Sequence, residues 1–352
     1  MKERNFHAQS VLFIIESMGK SFFTPVLSGI LLAVLLFTAA GCASRAGISR
    51  VGGEKAMTET MQKFDTSTPV ADVIADPVFE DFGRLLFPVQ RNYMQGDTLG
   101  SLDFTWYSHI DPEKTVEAVN YLYNEAAEGE RVFYPIYTDS ETAADPAKAD
   151  TGLFFFRGRP GARFAVCNAG GGFAYVAAMH DSFPHALELA KKGYNAFALI
   201  YRPGAQTACE DLARAITVIF AHADELQVNT DCYSLWGGSA GARMAAYLGT
   251  YGPAAFGGAD LPRPGAVIMQ YTGHQQYSSD DPPTYANVGT RDGIANWQVM
   301  KRRIQQLTDL GIPTEFHVYD GLGHGFGLGT GTAAEGWIDD AVRFWEQQME
   351  VQ

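Results

Sequence analysis

Positive charge is scarce in this chain. Lys and Arg number 26 against 40 Asp and Glu, a net charge of −14. Phosphate backbones would be repelled, which argues against nucleic acid as a partner. Cysteine is scarcer still, four in 352 residues, and no two are spaced as C-x-x-C. Neither an H-E-x-x-H pattern nor EF-hand spacing occurs, so no metal site is expected. The glycine-rich loop at 170–172 lacks the G-x-G-x-x-G spacing and no Walker lysine follows it, so no nucleotide cofactor is expected either. Internal repeats and low-complexity tracts are also missing.

A long apolar run is present, at the N-terminus. Residues 22–41 (FFTPVLSGILLAVLLFTAAG) follow Lys20, and Ala39-Ala40-Gly41 then meets Cys42. This pattern predicts a secretory signal peptide over 1–41. Its ending resembles the lipobox of bacterial lipoproteins, with Ala39 where that family more often has Leu. The resemblance implies cleavage before Cys42, a lipid on that cysteine, and an exported protein anchored to a membrane of the bacterial cell envelope. The run is also long enough to span a bilayer, so a plain transmembrane anchor is the alternative; the small residues and the cysteine favour cleavage. Glu3 and Glu16 do not suit a basic leader, and Met18-Gly19-Lys20 makes a better start. With Cys42 lipidated, Cys167, Cys209 and Cys232 remain, an odd number that gives no complete disulfide framework. They are expected as free thiols that pack as small hydrophobes.

Residues 42–77 are small and polar and read as a flexible tether. Residues 78–128 form an N-terminal segment with an aromatic cluster, Phe104, Trp106 and Tyr107, and a helix capped by Asp111 with Pro112 in its first turn. This segment is the candidate cover for a site. Trp106 and Tyr107 could form a sugar-stacking wall, although aromatics in such clusters are more often core. From 129 to 352 strand-like and helix-like runs alternate. The strands are 132–137, 152–156, 163–167, 195–201, 231–236, 265–271, 284–289 and 314–319. The helices are about 182–192, 208–226, 240–250, 293–310 and 334–349. Continuous apolar strands between amphipathic helices predict an α/β domain, with a mostly parallel, doubly wound sheet of about eight strands and helices on both faces. The connection from 250 to 265 is too short for a large inserted lid.

Within that pattern, Gly237-Gly238-Ser239-Ala240-Gly241 reads G-x-S-x-G between a strand and a helix, the setting of a nucleophile elbow. Gly237 and Gly241 leave room for strand and helix to pack closely, and the serine is held in a strained turn with its hydroxyl exposed. A serine hydroxyl is a weak nucleophile and needs a base, which needs a carboxylate to orient it. In such folds the chain order is Ser, acid, His. His324, in the glycine-rich loop 321–327 after the last strand, is the candidate base. The other histidines lie on helices, mid-strand or before the sheet; His274 is in a loop but precedes the acid's strand. Asp292, after the 284–289 strand, is the candidate acid. Asp320 is a competitor too close in sequence to His324 to reach the far side of the ring. Asp292 also reads as a helix N-cap. One carboxylate cannot easily fill both roles, and Thr290 is the alternative cap. The loop Gly170-Gly171-Gly172 after the 163–167 strand can turn backbone N–H groups inward. Gly171 and Gly172, with Ala240, are the candidate oxyanion donors.

These motifs together resemble an α/β-hydrolase of the esterase/lipase superfamily, closest to its acetyl-esterase and xylan-esterase-like branch. The carriers are Gly170–Phe173, Tyr201-Arg202-Pro203, Gly237–Gly241, Asp292-Gly293 and His324-Gly325-Phe326, over roughly residues 130–350. Ala169 stands where relatives often have a histidine that supports the oxyanion loop, which leaves the loop's rigidity open. Arg202 and the pair Glu210-Asp211 fall where relatives place a structural arginine and an acid, and read as a charge pair bracing the elbow. The resemblance implies a serine esterase acting on small acyl esters, acetyl foremost, including those carried on glycans, with no cofactor. A serine peptidase of the same fold and a non-catalytic glycan-binding lipoprotein are the alternatives. The peptidase would need a clamp for a peptide terminus, and none is identified. The binding protein would be expected to have lost a member of the Ser239, His324, Asp292 set.

Overall fold

The computed structural model describes residues 62–350. The expectations for the signal peptide, for Met18 and for Cys42 fall outside them. No helix among the described residues is long and apolar enough to cross a membrane.

Among the described residues ten strands are formed: β1 (Met94–Gln95), β2 (Asp103–Phe104), β3 (Phe133–Tyr134), β4 (Gly152–Phe156), β5 (Arg163–Asn168), β6 (Asn195–Ile200), β7 (Asn229–Gly238), β8 (Ala266–Gln270), β9 (Thr284–Gly289) and β10 (Thr314–Tyr319). β1 and β2 pair with each other, and the other eight form one sheet in the order β10-β9-β8-β7-β5-β6-β4-β3. From β10 to β6 every pairing is parallel; β4 and β3 are antiparallel at one edge. β4, β6, β8 and β9 are buried along their whole length. Such continuous apolar strands require cover on both faces. The helices Phe183–Lys191, Ala205–Ala221, Ala240–Tyr251, Trp297–Asp309 and Trp337–Met349 lie between or after the strands and bury their apolar stripes. Only a short 3-10 turn, Pro253–Phe256, stands between Tyr251 and β8, so no lid is inserted there.

The N-terminal part differs from the expected tether. Residues 62–77 pack on the domain. Phe64 is buried, and the Asn120 side chain accepts from the Lys63 and Phe64 N–H groups and donates to the Phe64 carbonyl. One buried amide thus replaces a missing backbone partner. Val70–Ile74 is helical, with Val70 and Val73 buried. The expected helix capped by Asp111 is present and spans Pro112–Ala127, with the Asp111 side chain accepting from the Glu113 and Lys114 N–H groups. Cys167, Cys209 and Cys232 are free and buried.

Candidate active site

Parallel strands deliver their following loops to one edge of the sheet, where doubly wound folds place their ligand sites. Ser239 follows β7, the 169–173 loop follows β5, Asp292 follows β9 and His324 follows β10. Ser239 lies between β7 and the helix Ala240–Tyr251 at φ 51, ψ −114, a left-handed conformation that costs a non-glycine residue on the order of 1–3 kcal/mol. The close packing that imposes it shows at the two glycines. A Cβ on Gly237 would lie 2.3 Å from the Gly241 carbonyl carbon, and one on Gly241 would lie 2.0 Å from the Asn168 oxygen.

The structure brings the three sequence-predicted side chains together. His324 Nε2 lies 3.0 Å from Ser239 Oγ, and His324 Nδ1 lies 2.8 Å from Asp292 Oδ2. The Asp292 carboxylate is fully buried and the imidazole nearly so, which strengthens the interaction between them. Asp292 also caps the turn after β9: its Oδ1 accepts from the Ile294 and Ala295 N–H groups. The expectation that one carboxylate cannot serve both purposes is therefore corrected, because a carboxylate has two oxygens and here they divide the work. The following helix starts later than expected, at Trp297, with Asn296 as its cap. Thr290 does not cap it; its hydroxyl donates to Asp320 and accepts from the Gly321 N–H.

The glycine loop runs against the nucleophile. Gly171 and Gly172 adopt φ of 123° and 63°, and a Cβ on Gly170 would sit 2.8 Å from Ser239 Cβ. Ala240 opens its helix, where backbone N–H groups have no intrahelical acceptor. The loop, which opens on Ala169, is braced by two hydrogen bonds. Tyr201 donates its hydroxyl to the Ala169 carbonyl at 2.6 Å, and the Gly170 N–H donates to Asp181 Oδ2 at 2.6 Å.

Asp181 is a residue the sequence reading missed. It is buried, and it accepts from the hydroxyls of Tyr107 and Tyr271 as well as from Gly170. It also lies under the elbow, since a Cβ on Gly238 would be 2.4 Å from either of its oxygens. Burial pushes its carboxyl up to about 6, against the opposing pull of its hydrogen bonds and of His324. No local motif marks it: it ends a single-turn helix, Ala178–Asp181, and its tyrosine partners are distant in sequence.

Arg202 forms the expected pair, but with Asp211 rather than Glu210. Its Nη2 lies 2.7 Å from Asp211 Oδ1 and its N–H groups also reach Asp145 and the Tyr137 hydroxyl, while Glu210 accepts from Gln206. Trp106 departs from the expected core role. It is 44% exposed, and a Cβ on Gly172 would lie 2.8 Å from its six-membered ring, so the indole stands beside the oxyanion loop. Phe104, from the same cluster, is core. Among the described residues no group of three or more His, Cys, Asp and Glu is placed to hold a metal ion.

Comparison with known proteins agrees with this architecture. The BD-FAE family model matches residues 160–261. No curated protein matches the chain. Among solved structures, MGS-M1, an alpha/beta hydrolase enzyme from a Medee basin deep-sea metagenome library, is 22% identical over 57% of this chain and 93% of its own, with a TM-score of 0.50. An acetyl ester-xyloside bifunctional hydrolase from Caldicellulosiruptor lactoaceticus is 19% identical over 61% of this chain and 95% of its own, with a TM-score of 0.53. Both cover nearly all of their own length, so the chain has the α/β-hydrolase fold.

Proposed function

We propose that this α/β-hydrolase-fold chain is a serine esterase that removes small acyl groups, acetyl foremost, including from glycans. The observation that carries the reading is the continuous hydrogen-bonded line Ser239 Oγ, His324, Asp292, at 3.0 and 2.8 Å. In this mechanism Ser239 Oγ attacks the ester carbonyl carbon and its proton passes to His324 Nε2. Asp292 holds Nδ1–H and stabilises the imidazolium. The carbonyl oxygen becomes an oxyanion, met by the N–H of Ala240 and those of Gly171 and Gly172. Collapse breaks the bond to the alcohol, which leaves with the proton from His324. Water, deprotonated by His324, then attacks the acyl-enzyme, and the acid departs as Ser239 regains its proton.

The small acyl group rests on the likeness to a hydrolase named for acetyl ester. The glycan side rests on the exposed Trp106 face and on the likeness to a hydrolase named for acetyl ester and xyloside. Export and lipid attachment at Cys42 belong to the same proposal and rest on the sequence. Replacing Cys42 with Ser in the bacterial host should release the protein from membranes.

The test is hydrolysis of p-nitrophenyl esters of increasing chain length, and of acetylated sugars, by wild type and Ser239→Ala. Turnover should fall with chain length, and the variant should lose nearly all of it. Equal turnover by the two proteins removes Ser239 from the mechanism. Faster cleavage of aminoacyl amides than of acetyl esters would point to a peptidase.

A further inference from the structure

The segment Thr105–Ser108 lies outside the 160–261 stretch matched by the family model, yet it touches both loops that flank Ser239. Toward the histidine loop, Ser108 Oγ donates to the His324 carbonyl at 2.7 Å and the Ser108 N–H donates to the Gly325 carbonyl at 3.2 Å. The Tyr107 ring fills the space beside Gly325, where a Cβ would come within 2.6 Å of it. Toward the oxyanion loop, the Tyr107 hydroxyl donates to Asp181 Oδ2 at 2.9 Å, the oxygen that also takes the Gly170 N–H. Tyr175, just beyond that loop, donates its hydroxyl to the Thr105 carbonyl at 2.5 Å. The other Asp181 oxygen takes the hydroxyl of Tyr271, whose ring meets the His324 ring edge-on at 5.2 Å. Two non-glycine residues in left-handed conformation, Trp106 at φ 75 and His109 at φ 56, bracket Tyr107 and Ser108. Such strain persists only where surrounding contacts over-determine it.

We propose that Tyr107 and Asp181 are positioning residues, and that Thr105–Ser108 is a strap that fixes the oxyanion loop relative to His324. The strap works through the shared oxygen of Asp181. Tyr107 on the strap and Gly170 on the oxyanion loop donate to that one acceptor, while Ser108 ties the strap to the histidine loop, so moving the strap moves the Gly170 amide and the adjoining Gly171 and Gly172. Without the Tyr107 hydroxyl the loops keep their sequence and their glycines but lose their common anchor. The proposal rests on the esterase reading for its kinetic readout alone.

The test is Tyr107→Phe, which keeps the ring and deletes one donor, beside Tyr121→Phe as a control. Tyr121 lies on the same N-terminal segment and its hydroxyl accepts from the Arg157 N–H, away from the site. For p-nitrophenyl acetate, Tyr107→Phe should lower kcat about tenfold with KM changed by less than about twofold, a smaller loss than the 10²–10³ of deleting an oxyanion donor outright. Amide hydrogen exchange should rise in both loops, 170–172 and 323–325. Tyr121→Phe should leave kcat and both loops at wild-type values. Combining Tyr107→Phe with Asp181→Asn should cost less than the two losses added, because both act through one anchor. Wild-type kcat and exchange in Tyr107→Phe, or an equal kcat loss in Tyr121→Phe, overturns the strap. If wild-type protein turns over no ester, the esterase reading fails while exchange in the two loops still decides the strap.

Discussion

Asp292 serves His324 with one carboxylate oxygen and its own backbone with the other. Oδ2 lies 2.8 Å from His324 Nδ1, and Oδ1 takes the N–H groups of Ile294 and Ala295 at 2.8 and 2.6 Å. The residue that orients the imidazole is thus held by the turn it caps, which limits how far the ring can swing.

This division of labour separates two substitutions. Asp292→Asn keeps an acceptor for the turn but turns a donor toward Nδ1, which favours the wrong imidazole tautomer. Its kcat should fall about 10³–10⁴-fold with little loss of stability. Asp292→Ala should lose activity to a similar degree and also about 1 kcal/mol of stability, the usual cost of a missing cap. Esterase kinetics and urea unfolding of the two variants check this, and equal stabilities would argue that the cap contributes nothing.

Much of this site was legible because its parts are local. The elbow needs bare backbone at Gly237 and Gly241, His324 stands in a glycine-rich loop after the last strand, and Asp292 stands in the turn after the strand before it. Each is a short pattern in a fixed chain order. The strand runs were legible because buried parallel strands are apolar throughout, as in β4 and β6. Asp181 was not legible, because its role comes from partners at 107, 170 and 271 that only the folded chain assembles. The docking of residues 62–77 was hidden for a related reason. Their composition is polar, and what fixes their start is the single distant side chain of Asn120. Trp106 is legible only as one of two readings, core or rim, because composition does not distinguish a buried indole from one exposed at a rim.

Asp181 and two buried histidines set opposing pH dependences. Burial holds His180 at about 4 and His185 at about 3, so below roughly pH 6.5 the unfolded chain takes up protons that the folded one refuses. Their stabilisation is present above that pH and is lost as pH falls. Asp181, raised to about 6, has the reverse sign: between about pH 4 and 6 the folded state holds a proton that the unfolded state releases, so its contribution falls as pH rises. The groups bearing on these sites are Tyr107, Tyr271 and His324 around Asp181, Asp111 and His109 near His180, and His180 and Glu188 near His185. Replacing Asp181 with Asn removes the opposing proton. The variant should therefore gain on the order of 3 kcal/mol relative to wild type between pH 4 and pH 6, while its kcat falls. Urea midpoints measured at both pH values test the sign, and parallel curves for the two proteins would refute it.

The Arg202–Asp211 pair braces the segment after β6. Asp211 is fully buried and Arg202 largely so, and the Arg202 N–H donates to Asp211 Oδ2 as well. Removing one partner strands a charge in a low dielectric. Asp211→Ala should cost about 3–5 kcal/mol, read as a lower urea midpoint, with KM for p-nitrophenyl acetate unchanged in the protein that remains folded. A loss below about 1 kcal/mol would mean that Asp145 and Tyr137 suffice to hold Arg202.

Trp106 offers a way to separate substrate contact from stability. The indole is exposed beside Gly172 and tilted against Tyr93 and Tyr175, on a backbone at φ 75. Trp106→Ala and Trp106→Gly delete the same ring, so both should raise KM for an acetylated oligosaccharide by about fivefold, the equivalent of roughly 1 kcal/mol of lost ring contact. Neither should change KM for p-nitrophenyl acetate, which has no sugar to place on the ring. The two variants should part company in unfolding. Glycine accepts a positive φ and alanine does not, so Trp106→Gly should be the more stable by about 1 kcal/mol. A matched rise in KM with unequal stability would assign the indole to the substrate. A rise in KM that follows the loss of stability would make it a packing residue of the strap instead.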